Sequence, residues 1–505
     1  MIRKASLSSM LFICCTLFAF AQERNISEKP DVAKSRQTLA INGETLQLNT
    51  AAGTMRVRDE NNIPIANFGF TSYSKADGKS GNIDKNRPIM FAYNGGPGSS
   101  SFWLHMGVLG PKRIVVDDPN FNKAAPYQLV NNEYSVLDMA DLVMIDPVGT
   151  GLSVPIGDAE FKDFWGVDQD IRSISLFITQ YLIEHGRMNS PKYLLGESYG
   201  TFRNAGVMNR LLNQGIALNG VIMVSAVFDL RTLMFPPDDD MPYIVHFPTY
   251  AATAWYHNQV KDRPDQLEAY LDVIRQFTSE VYVPALFLGD AIAPEAKEAV
   301  ASNLADFTGI AADYWMKADL RVTASEFFAE FLRENRETVG RLDSRYTGIS
   351  QDGIAQNGAF DPQSSAISPA YTQGFLNYLH ETLGVSKELT YSITAGRRPG
   401  FEWDWTHQGN GGWGGSMAAI NTGPDMAQAL SRDPNLKVLI LNGYYDVATV
   451  FYGVEHSINH LGLPPEIRNN IIMEYYEAGH MMYTHQPSLV KFKKDVGDFI
   501  KNTSN

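Results

Sequence analysis

The spacing of apolar residues predicts strands at the start of the chain and a regular alternation of strands and helices after residue 141. Short β-branched and aromatic runs between turn residues predict early strands at 54–59, 64–73 and 88–94. Apolar runs and helical repeats then alternate, in the order strand 141–146, helix 167–182, strand 192–196, helix 201–213 and strand 221–227. This alternation is typical of a mostly parallel sheet with helices on both faces.

The same alternation returns near the C-terminus. Strands are predicted at 436–442 and 471–476 with a helix at 450–461 between them, and a last helix begins near Pro487. Across residues 230–400 the strand pattern fades and helical segments rich in aromatic residues replace it.

The strands on both sides of this middle region are needed to complete one sheet. We therefore expect a single α/β core, residues 22–229 and 401–505, with a cap inserted at 230–400. The cap boundaries are approximate to ten residues or more.

Composition and charge narrow the function. The 505 residues are 44% hydrophobic and 19% charged, which is typical of a globular protein and excludes disordered and fibrous classes. The formal net charge of −14 would repel a nucleic-acid backbone or an anionic membrane. No nucleic-acid partner is expected.

The N-terminus has the pattern of an export signal, residues 1–21. Arg3 and Lys4 precede an apolar run, and Ala19-Phe20-Ala21 provides the small-x-small pattern of a cleavage site. The run is too short to span a bilayer, so an uncleaved anchor is the weaker alternative. The mature protein is expected to be secreted or periplasmic, without a membrane anchor.

Both cysteines of the chain, Cys14 and Cys15, lie within this signal. A lipid-attached cysteine would need a small residue before it, and Ile13 is not small. The mature protein then has no thiol, which excludes disulfides, a cysteine nucleophile and a thiolate metal site.

A candidate nucleophile lies between a predicted strand and a predicted helix. The sequence Gly196-Glu197-Ser198-Tyr199-Gly200 fits G-x-S-x-G, which places a serine hydroxyl on a sharp strand-to-helix corner. The pentapeptide alone occurs by chance, so the strand-before, helix-after context carries the prediction.

A serine nucleophile needs a base, and the base needs an orienting acid. Asp446 and His480 each follow a predicted C-terminal strand, in the order serine, acid, histidine of an α/β-hydrolase. Taken singly, such an aspartate is more often a turn-former, and such a histidine is more often a satisfied surface group. Their shared position at strand ends favours a triad with Ser198.

The glycine-rich turn Asn94–Ser100 offers a site for an oxyanion. Bare glycines let backbone amides approach a substrate oxygen, and the expected donors are the amides of Gly96 and Tyr199. A phosphate loop is disfavoured because no lysine follows in the required position.

Six motifs together resemble the serine carboxypeptidases of peptidase family S10, with the bacterial members more similar because cysteines are lacking outside the signal. They are NGGPGSSS at 94–101, LGP at 109–111, IDPVGTGLS at 145–153, GESYG at 196–200, NGYYD at 442–446 and GHM at 479–481. The resemblance extends over nearly the whole mature chain. It implies an α/β-hydrolase fold with a cap, the same triad and the same oxyanion donors.

The resemblance also implies how the free carboxylate of a peptide would be bound. By position, the binding residues are Asn94, Gly95 and Glu197, whereas the family's second glutamate is replaced by Val108. In the family the two carboxyls share a proton, and this pair cannot form here. His105 is a candidate replacement donor, although a packing role fits it better.

Met481 resembles the methionine that lines the family's leaving-group pocket, and core packing is the alternative. Three tryptophans, Trp403, Trp405 and Trp413, are expected either to line the substrate cleft or to pack in the core.

Other candidate sites are weak. His456 and His460 have helical spacing but lack the glutamate of a zinc motif, and residues 238–240 fit a solvated acidic turn better than a calcium loop. The sequence at 25–27 is a glycosylation site only in a host that glycosylates it. No metal or cofactor is expected.

The sequence therefore predicts an exported serine-type carboxypeptidase that acts on peptides through an acyl-enzyme. The alternatives are an esterase, acyltransferase or aminopeptidase on the same scaffold, and an inactive binding protein. Side-chain specificity, pH optimum and oligomeric state are not predicted.

Overall fold

The computed structural model describes residues 30–77, 81–407 and 420–504. The export signal at 1–21, the glycosylation sequence at 25–27 and Trp413 lie outside these residues, and the statements about them stay predictions. No helix in the described ranges is both long enough and apolar enough to cross a membrane.

The strands are bounded as follows. They are β1 (Val32–Ile41), β2 (Glu44–Arg58), β3 (Pro64–Lys75), β4 (Ile89–Tyr93), β5 (Lys112–Ile114), β6 (Leu129–Asn131), β7 (Asp141–Ile145), β8 (Val154–Pro155), β9 (Lys192–Glu197), β10 (Gly220–Val224), β11 (Glu337–Val339), β12 (Thr347–Ile349), β13 (Lys437–Gly443) and β14 (Ile471–Tyr476).

The α-helices follow the same order. They are α1 (Phe102–Leu104), α2 (Val167–Glu184), α3 (Tyr199–Asn213), α4 (Met241–Tyr256), α5 (Leu267–Phe277), α6 (Val283–Leu288), α7 (Pro294–Thr308), α8 (Ala312–Lys317), α9 (Ala324–Glu330), α10 (Pro362–Asn377), α11 (Gly423–Arg432), α12 (Phe451–Asn459), α13 (Pro465–Arg468) and α14 (Gln486–Thr503).

The main sheet runs in the order β1-β2-β3-β7-β4-β9-β10-β13-β14, and β8 pairs with β3. The pairs β1–β2, β2–β3 and β3–β7 are antiparallel, and every neighbouring pair from β7 to β14 is parallel. The central strands β4, β7 and β10 are buried at every position, as parallel strands covered on both faces must be.

Helices cover both faces of this sheet, because successive residues of a strand point to opposite sides. In β9, Tyr193 and Leu195 belong to the core cluster that contains α14 residues. Leu194, between them, belongs to the cluster that contains residues of α2 and α3. The predicted mostly parallel sheet with helices on both faces is confirmed.

The first strand of the sheet was not predicted. The predicted strand 54–59 is the end of the longer β2, which pairs with β1 along the whole length of β1. The outer half of β1 is polar and largely exposed, so it lacks the apolar pattern that marks the central strands. Its strand conformation comes from backbone pairing with β2.

The region between β10 and β13 packs in two ways. Helices α4 to α9 and strand β11 contribute to a hydrophobic cluster that also includes Tyr444 and Phe451, which follow β13. Helix α10 instead packs into the cluster that contains β1 and α14. The division into a core and a cap at 230–400 stays an interpretation.

Parallel strands end at one edge of a sheet, and their loops meet there. The turns that follow β4, β9, β13 and β14 carry Asn94, Ser198, Asp446 and His480. The fold thus brings segments from both ends of the chain to a single edge.

Candidate active site

Ser198 joins β9 to α3 in a strained turn. Its φ of 60° and ψ of −131° are rare for a residue with a side chain. A Cβ on Gly196 would lie 2.3 Å from the carbonyl oxygen of Gly200, so the corner requires glycine. The serine therefore sits at the N-terminus of α3, where the helix dipole is positive.

His480 and Asp446 are directly hydrogen-bonded. The distance from His480 Nδ1 to Asp446 Oδ2 is 2.7 Å. Asp446 Oδ1 accepts from the amides of Ala448 and Thr449, at 2.8 and 2.9 Å, and Oδ2 also accepts from the Thr449 hydroxyl at 2.8 Å. A carboxylate with this bonding requires the proton of the imidazole on Nδ1, which leaves Nε2 free to accept a proton.

The buried position of His480 and its acidic neighbours affect its pKa in opposite directions. Burial lowers the pKa, whereas the charge of Asp446, its hydrogen bond and the more distant charge of Glu197 raise it. The net result is a pKa above the ordinary value for histidine.

Ser198 and His480 line the same cavity, which has a volume of about 370 Å³. Asp446 is fully buried behind the imidazole. Within the described part of the chain, the Ser198 hydroxyl forms no hydrogen bond, so no other group holds it. The structure thus brings together the three residues that the sequence predicts as a triad.

The glycine-rich turn after β4 packs directly on the nucleophile corner. A Cβ on Gly95 would lie 2.4 Å from the Tyr199 amide nitrogen, and Gly96 has a φ of 107°. Gly95 and Gly96 therefore allow an approach that no other residue would permit. The amides of Gly96 and Tyr199 donate no hydrogen bond to any described residue, and both residues line the cavity.

A buried arginine supports both of these turns. Arg203 Nε lies 2.6 Å from Asp170 Oδ2, and its Nη1 donates to the Asn94 carbonyl oxygen at 2.9 Å. The guanidinium also lies over the rings of Tyr93 and Tyr199. One side chain thus links α3, α2 and the glycine-rich turn.

Glu197, the residue before the candidate nucleophile, is buried in the cavity wall with two side-chain partners. Asn94 Nδ2 donates to Glu197 Oε1 at 3.0 Å, and the Tyr483 hydroxyl donates to Oε2 at 2.8 Å. Burial raises the pKa of Glu197 to about 7, because these hydrogen bonds and the nearby His480 compensate only partly for lost hydration. Below neutral pH this carboxyl group is neutral and has a proton to donate.

Tyr483 was missed by the sequence analysis. It follows Met481 by two residues, but nothing in its local sequence distinguishes a hydroxyl that reaches Glu197 from an ordinary core tyrosine. Val108, where the resemblance leads one to expect a second glutamate, is fully buried in the core. In this chain a phenol from another segment contacts the carboxyl group of Glu197.

His105 does not contact Glu197. Its Nε2 lies 2.7 Å from the Tyr73 hydroxyl, and its ring packs against Phe375 and Tyr378. Burial lowers the pKa of His105 to about 3, so it is neutral. These contacts fit the packing role of His105 and not the role of a replacement donor.

The remaining cavity wall combines predicted and unpredicted residues. Met481 and Trp405 line it, whereas Trp403 packs behind with its ring centroid 5.5 Å from that of Tyr199. Arg341 and Trp103 also line it, although the sequence analysis did not select them.

The weaker candidates from the sequence are accounted for by local contacts. The rings of His456 and His460 stack 4.0 Å apart on α12. Asp240 pairs with Arg321 at 2.7 Å. Across the described ranges, no group of three or more His, Cys, Asp or Glu side chains is arranged to hold a metal ion.

The chain is similar in sequence to known serine carboxypeptidases. Residues 75–229 match the family model of the serine carboxypeptidases, peptidase S10. Serine carboxypeptidase-like 15 of Arabidopsis thaliana is 31% identical over 123 residues, or 24% of this chain and 27% of that protein. The pheromone-processing carboxypeptidase KEX1 of Saccharomyces cerevisiae is 30% identical over 148 residues, or 28% of this chain and 19% of that protein.

These alignments span about a quarter or less of each relative's own length. A crystal structure of KEX1(delta)p, a prohormone-processing carboxypeptidase from Saccharomyces cerevisiae, is similar over 90% of this chain and 91% of that chain, with a TM-score of 0.53 at 16% identity. This similarity concerns the fold.

The chain has the α/β-hydrolase fold. The match over residues 75–229, a segment that includes the turn after β4 and the Ser198 corner, supports the serine carboxypeptidase family that the six motifs predicted. The relatives named above come from a plant and a yeast, so the expected bacterial branch stays a prediction.

Proposed function

We propose that this protein is an exported serine carboxypeptidase that releases residues from the C-terminus of peptides through an acyl-enzyme. The observation that carries the proposal is the 2.7 Å hydrogen bond between His480 and Asp446, beside a cavity that His480 shares with Ser198. The family match over residues 75–229 supports the same activity.

In the proposed reaction, His480 Nε2 accepts the proton of Ser198 as Oγ attacks the scissile carbonyl carbon. The amides of Gly96 and Tyr199 donate hydrogen bonds to the oxyanion. Both are available for this, because neither amide donates a hydrogen bond to any described residue. When the C–N bond breaks, His480 gives its proton to the leaving amine. Water then attacks the acyl-enzyme: His480 accepts a proton from the water and returns it to Ser198 Oγ as the ester bond breaks. Throughout, Asp446 keeps the imidazole in the required tautomer.

The free carboxylate of the peptide would be bound by Asn94, Gly95 and Glu197. Glu197, with its pKa near 7, can donate a proton to that carboxylate at acidic and neutral pH. Tyr483 orients the carboxyl group by its hydrogen bond to Oε2, in place of the family's second glutamate. Met481, next to the base, would contact the leaving residue.

This proposal includes the finer predictions from the sequence. The substrate is a peptide, no cofactor or nucleic-acid partner takes part, and the mature protein is secreted or periplasmic. The export signal and the bacterial branch belong to the same proposal.

The test compares purified native protein with Ser198→Ala on three versions of one peptide: free at both ends, amidated at the C-terminus, and acetylated at the N-terminus. We expect the native protein to shorten the free and acetylated peptides from the C-terminus and to leave the amidated one intact. Ser198→Ala should retain the native unfolding transition and lose activity by several orders of magnitude.

Other results would identify the alternatives. Cleavage of the amidated peptide but not the acetylated one indicates an aminopeptidase, and turnover of simple esters alone indicates an esterase. A native protein that neither cleaves peptides nor reacts with a fluorophosphonate is a binding protein. Hydrolysis that persists in Ser198→Ala would exclude this serine as nucleophile.

A further inference from the structure

Arg341 lies beside the candidate triad, and its backbone is hydrogen-bonded to the loops that carry the triad. Its carbonyl oxygen accepts a hydrogen bond from the Val447 amide at 3.1 Å, one residue after Asp446. The carbonyl oxygen of the next residue, Leu342, accepts from the His480 amide at 2.6 Å. The backbone at 341–342 therefore bridges the loops that carry the acid and the base.

Arg341 is exposed, and it is one of the residues that line the cavity. Of the described residues around this cavity, it is the sole lysine or arginine, and it forms no ion pair with a described residue. Nearby arginines differ: Arg345 is paired with Asp118 and Asp343, and Arg321 with Asp240. The positive charge of Arg341 is also felt at His480, whose pKa it lowers slightly against the larger effect of Asp446.

Arg341 belongs to the same wall as the groups proposed to hold the peptide's carboxylate. The Leu342 amide donates to Asp361, the N-cap residue of α10, at 2.8 Å. Helix α10 supplies Ile367 to the cavity wall, and Tyr371 of the same helix packs on the lining residue Trp103, with ring centroids 5.0 Å apart. A Cβ on Gly107 would touch both Tyr371 and Tyr483, so this wall continues to the partner of Glu197.

The opposite part of the cavity is apolar. It is lined by Val227, Leu230, Leu233, Trp405 and Ala448. If Glu197 and Asn94 hold the terminal carboxylate and His480 protonates the leaving amine, the leaving residue lies along the Arg341 wall. The acyl side of the substrate would then lie against the apolar part.

We propose that Arg341 makes the enzyme selective for peptides that end in an acidic residue, glutamate or aspartate, by pairing with that residue's side-chain carboxylate. This inference rests on the proposed function, because the leaving-group side is defined by the roles given to His480 and Glu197. A guanidinium binds a carboxylate through two parallel N–H donors. Because Arg341 is exposed, solvent weakens the pair, and the expected preference is about five- to tenfold in kcat/KM.

The experiment measures kcat/KM for peptides that are identical except for a C-terminal Glu, Gln or Lys. Three full-length proteins are compared: native, Arg341→Met and Arg341→Glu. The native protein should prefer Glu over Gln by about five- to tenfold, Arg341→Met should bring that ratio close to one, and Arg341→Glu should favour Lys. Arg336→Met is the matched control, since Arg336 is exposed in the same region and its guanidinium donates a hydrogen bond to the carbonyl oxygen of Gln351.

The outcomes separate the two proposals. The role of Arg341 would be overturned if the native ratio of kcat/KM for the Glu peptide to that for the Gln peptide were near one. It would also be overturned if this ratio were unchanged in Arg341→Met. In both cases, hydrolysis of the Gln peptide would still support the proposed carboxypeptidase activity. Equal losses on all three peptides in Arg341→Met would also overturn it, because Arg341 would then bind the terminal carboxylate. Failure of the native protein on every free-acid peptide would refute the proposed function itself. Thermal unfolding confirms that each variant is folded.

Discussion

Asp446 and Glu197 are both buried carboxyl groups close to His480, but they receive different hydrogen bonds. Asp446 accepts four, from two backbone amides, the Thr449 hydroxyl and His480 itself. Glu197 accepts two, from the side chains of Asn94 and Tyr483. The first group has the donors that a buried negative charge needs, and the second has fewer.

The difference fits the opposite roles proposed for these two chemically similar groups. Asp446 faces the imidazole as a hydrogen-bonded acceptor and suits the stabilisation of a positive charge on His480. Glu197, whose pKa burial raises to about 7, is neutral in mildly acidic solution and suits donation of a proton to an anionic substrate. Two carboxyl groups with different environments thus suit the proposed acceptor, buried behind His480, and the proposed donor, in the cavity wall.

Replacing Asp446, the member of the pair that accepts four hydrogen bonds, should have the largest effect. In Asp446→Asn, an amide NH₂ can face Nδ1 and favour the tautomer with its proton on Nε2, which cannot accept the Ser198 proton. We expect kcat to fall on the order of 10³- to 10⁴-fold, with KM changed much less. Steady-state kinetics checks this.

A loss of less than about tenfold in Asp446→Asn would mean that Asp446 does not orient the base. Asp495→Asn provides the control, because Asp495 is paired with Lys491 and hydrogen-bonded to Tyr476.

Replacing Glu197 should change the pH dependence of the reaction. If only neutral Glu197 binds the peptide carboxylate, kcat/KM of the native protein falls about tenfold per pH unit above its pKa. In Glu197→Gln the amide donates at every pH, so this alkaline decline should disappear, whereas the acidic limb set by His480 remains. Glu474→Gln is the control, because Glu474 forms an ion pair with Lys491.

The same substitution tests the charge of Glu197 through stability. The folded-state pKa is above the unfolded value, so the folded protein binds more protons and loses stability as the pH rises from the ordinary glutamate pKa through about 7. Glu197→Gln should remove this part of the decline in denaturant unfolding measured from pH 5 to 8. An unchanged pH dependence of both activity and stability would show that Glu197 does not titrate in this range.

Removing the phenol should have the smallest effect of the three. Tyr483→Phe deletes the donor to Glu197 Oε2, which makes the charged carboxylate less favourable and raises the pKa of Glu197 further. The alkaline limb of kcat/KM should move up by about half to one pH unit, with a severalfold loss of activity on free-acid peptides.

Tyr476→Phe is the matched control for Tyr483→Phe, since it removes another tyrosine hydroxyl bonded to a carboxylate, that of Asp495. A purely structural role for Tyr483 would lower stability and leave the position of the alkaline limb unchanged.

The fold was predictable from sequence wherever burial left a pattern. The central strands β4, β7, β9 and β10 each contain a short apolar run, and α2 repeats its apolar residues at helical spacing, because each is packed against the core. Strand β1 was missed because its pairing depends on backbone hydrogen bonds, which leave no mark on side-chain polarity.

The candidate site was predictable to the extent that its chemistry depends on local backbone geometry. The corner at Ser198 and the close approach of Gly95 need glycines at fixed positions, so these motifs are visible in one dimension. Asp446 and His480 could be selected because each follows a recognisable strand.

By itself, then, the sequence determined the central strands of the sheet, the strained serine corner and the glycine turn, since short-range sterics and periodic burial govern all three. Only the tertiary structure decided that Tyr483 contacts Glu197, 286 positions earlier in the chain, and that Arg341 lines the cavity. Such contacts arise from the way distant loops pack at the sheet edge. No local pattern encodes them, because the partner of a side chain depends on the path of the whole intervening chain.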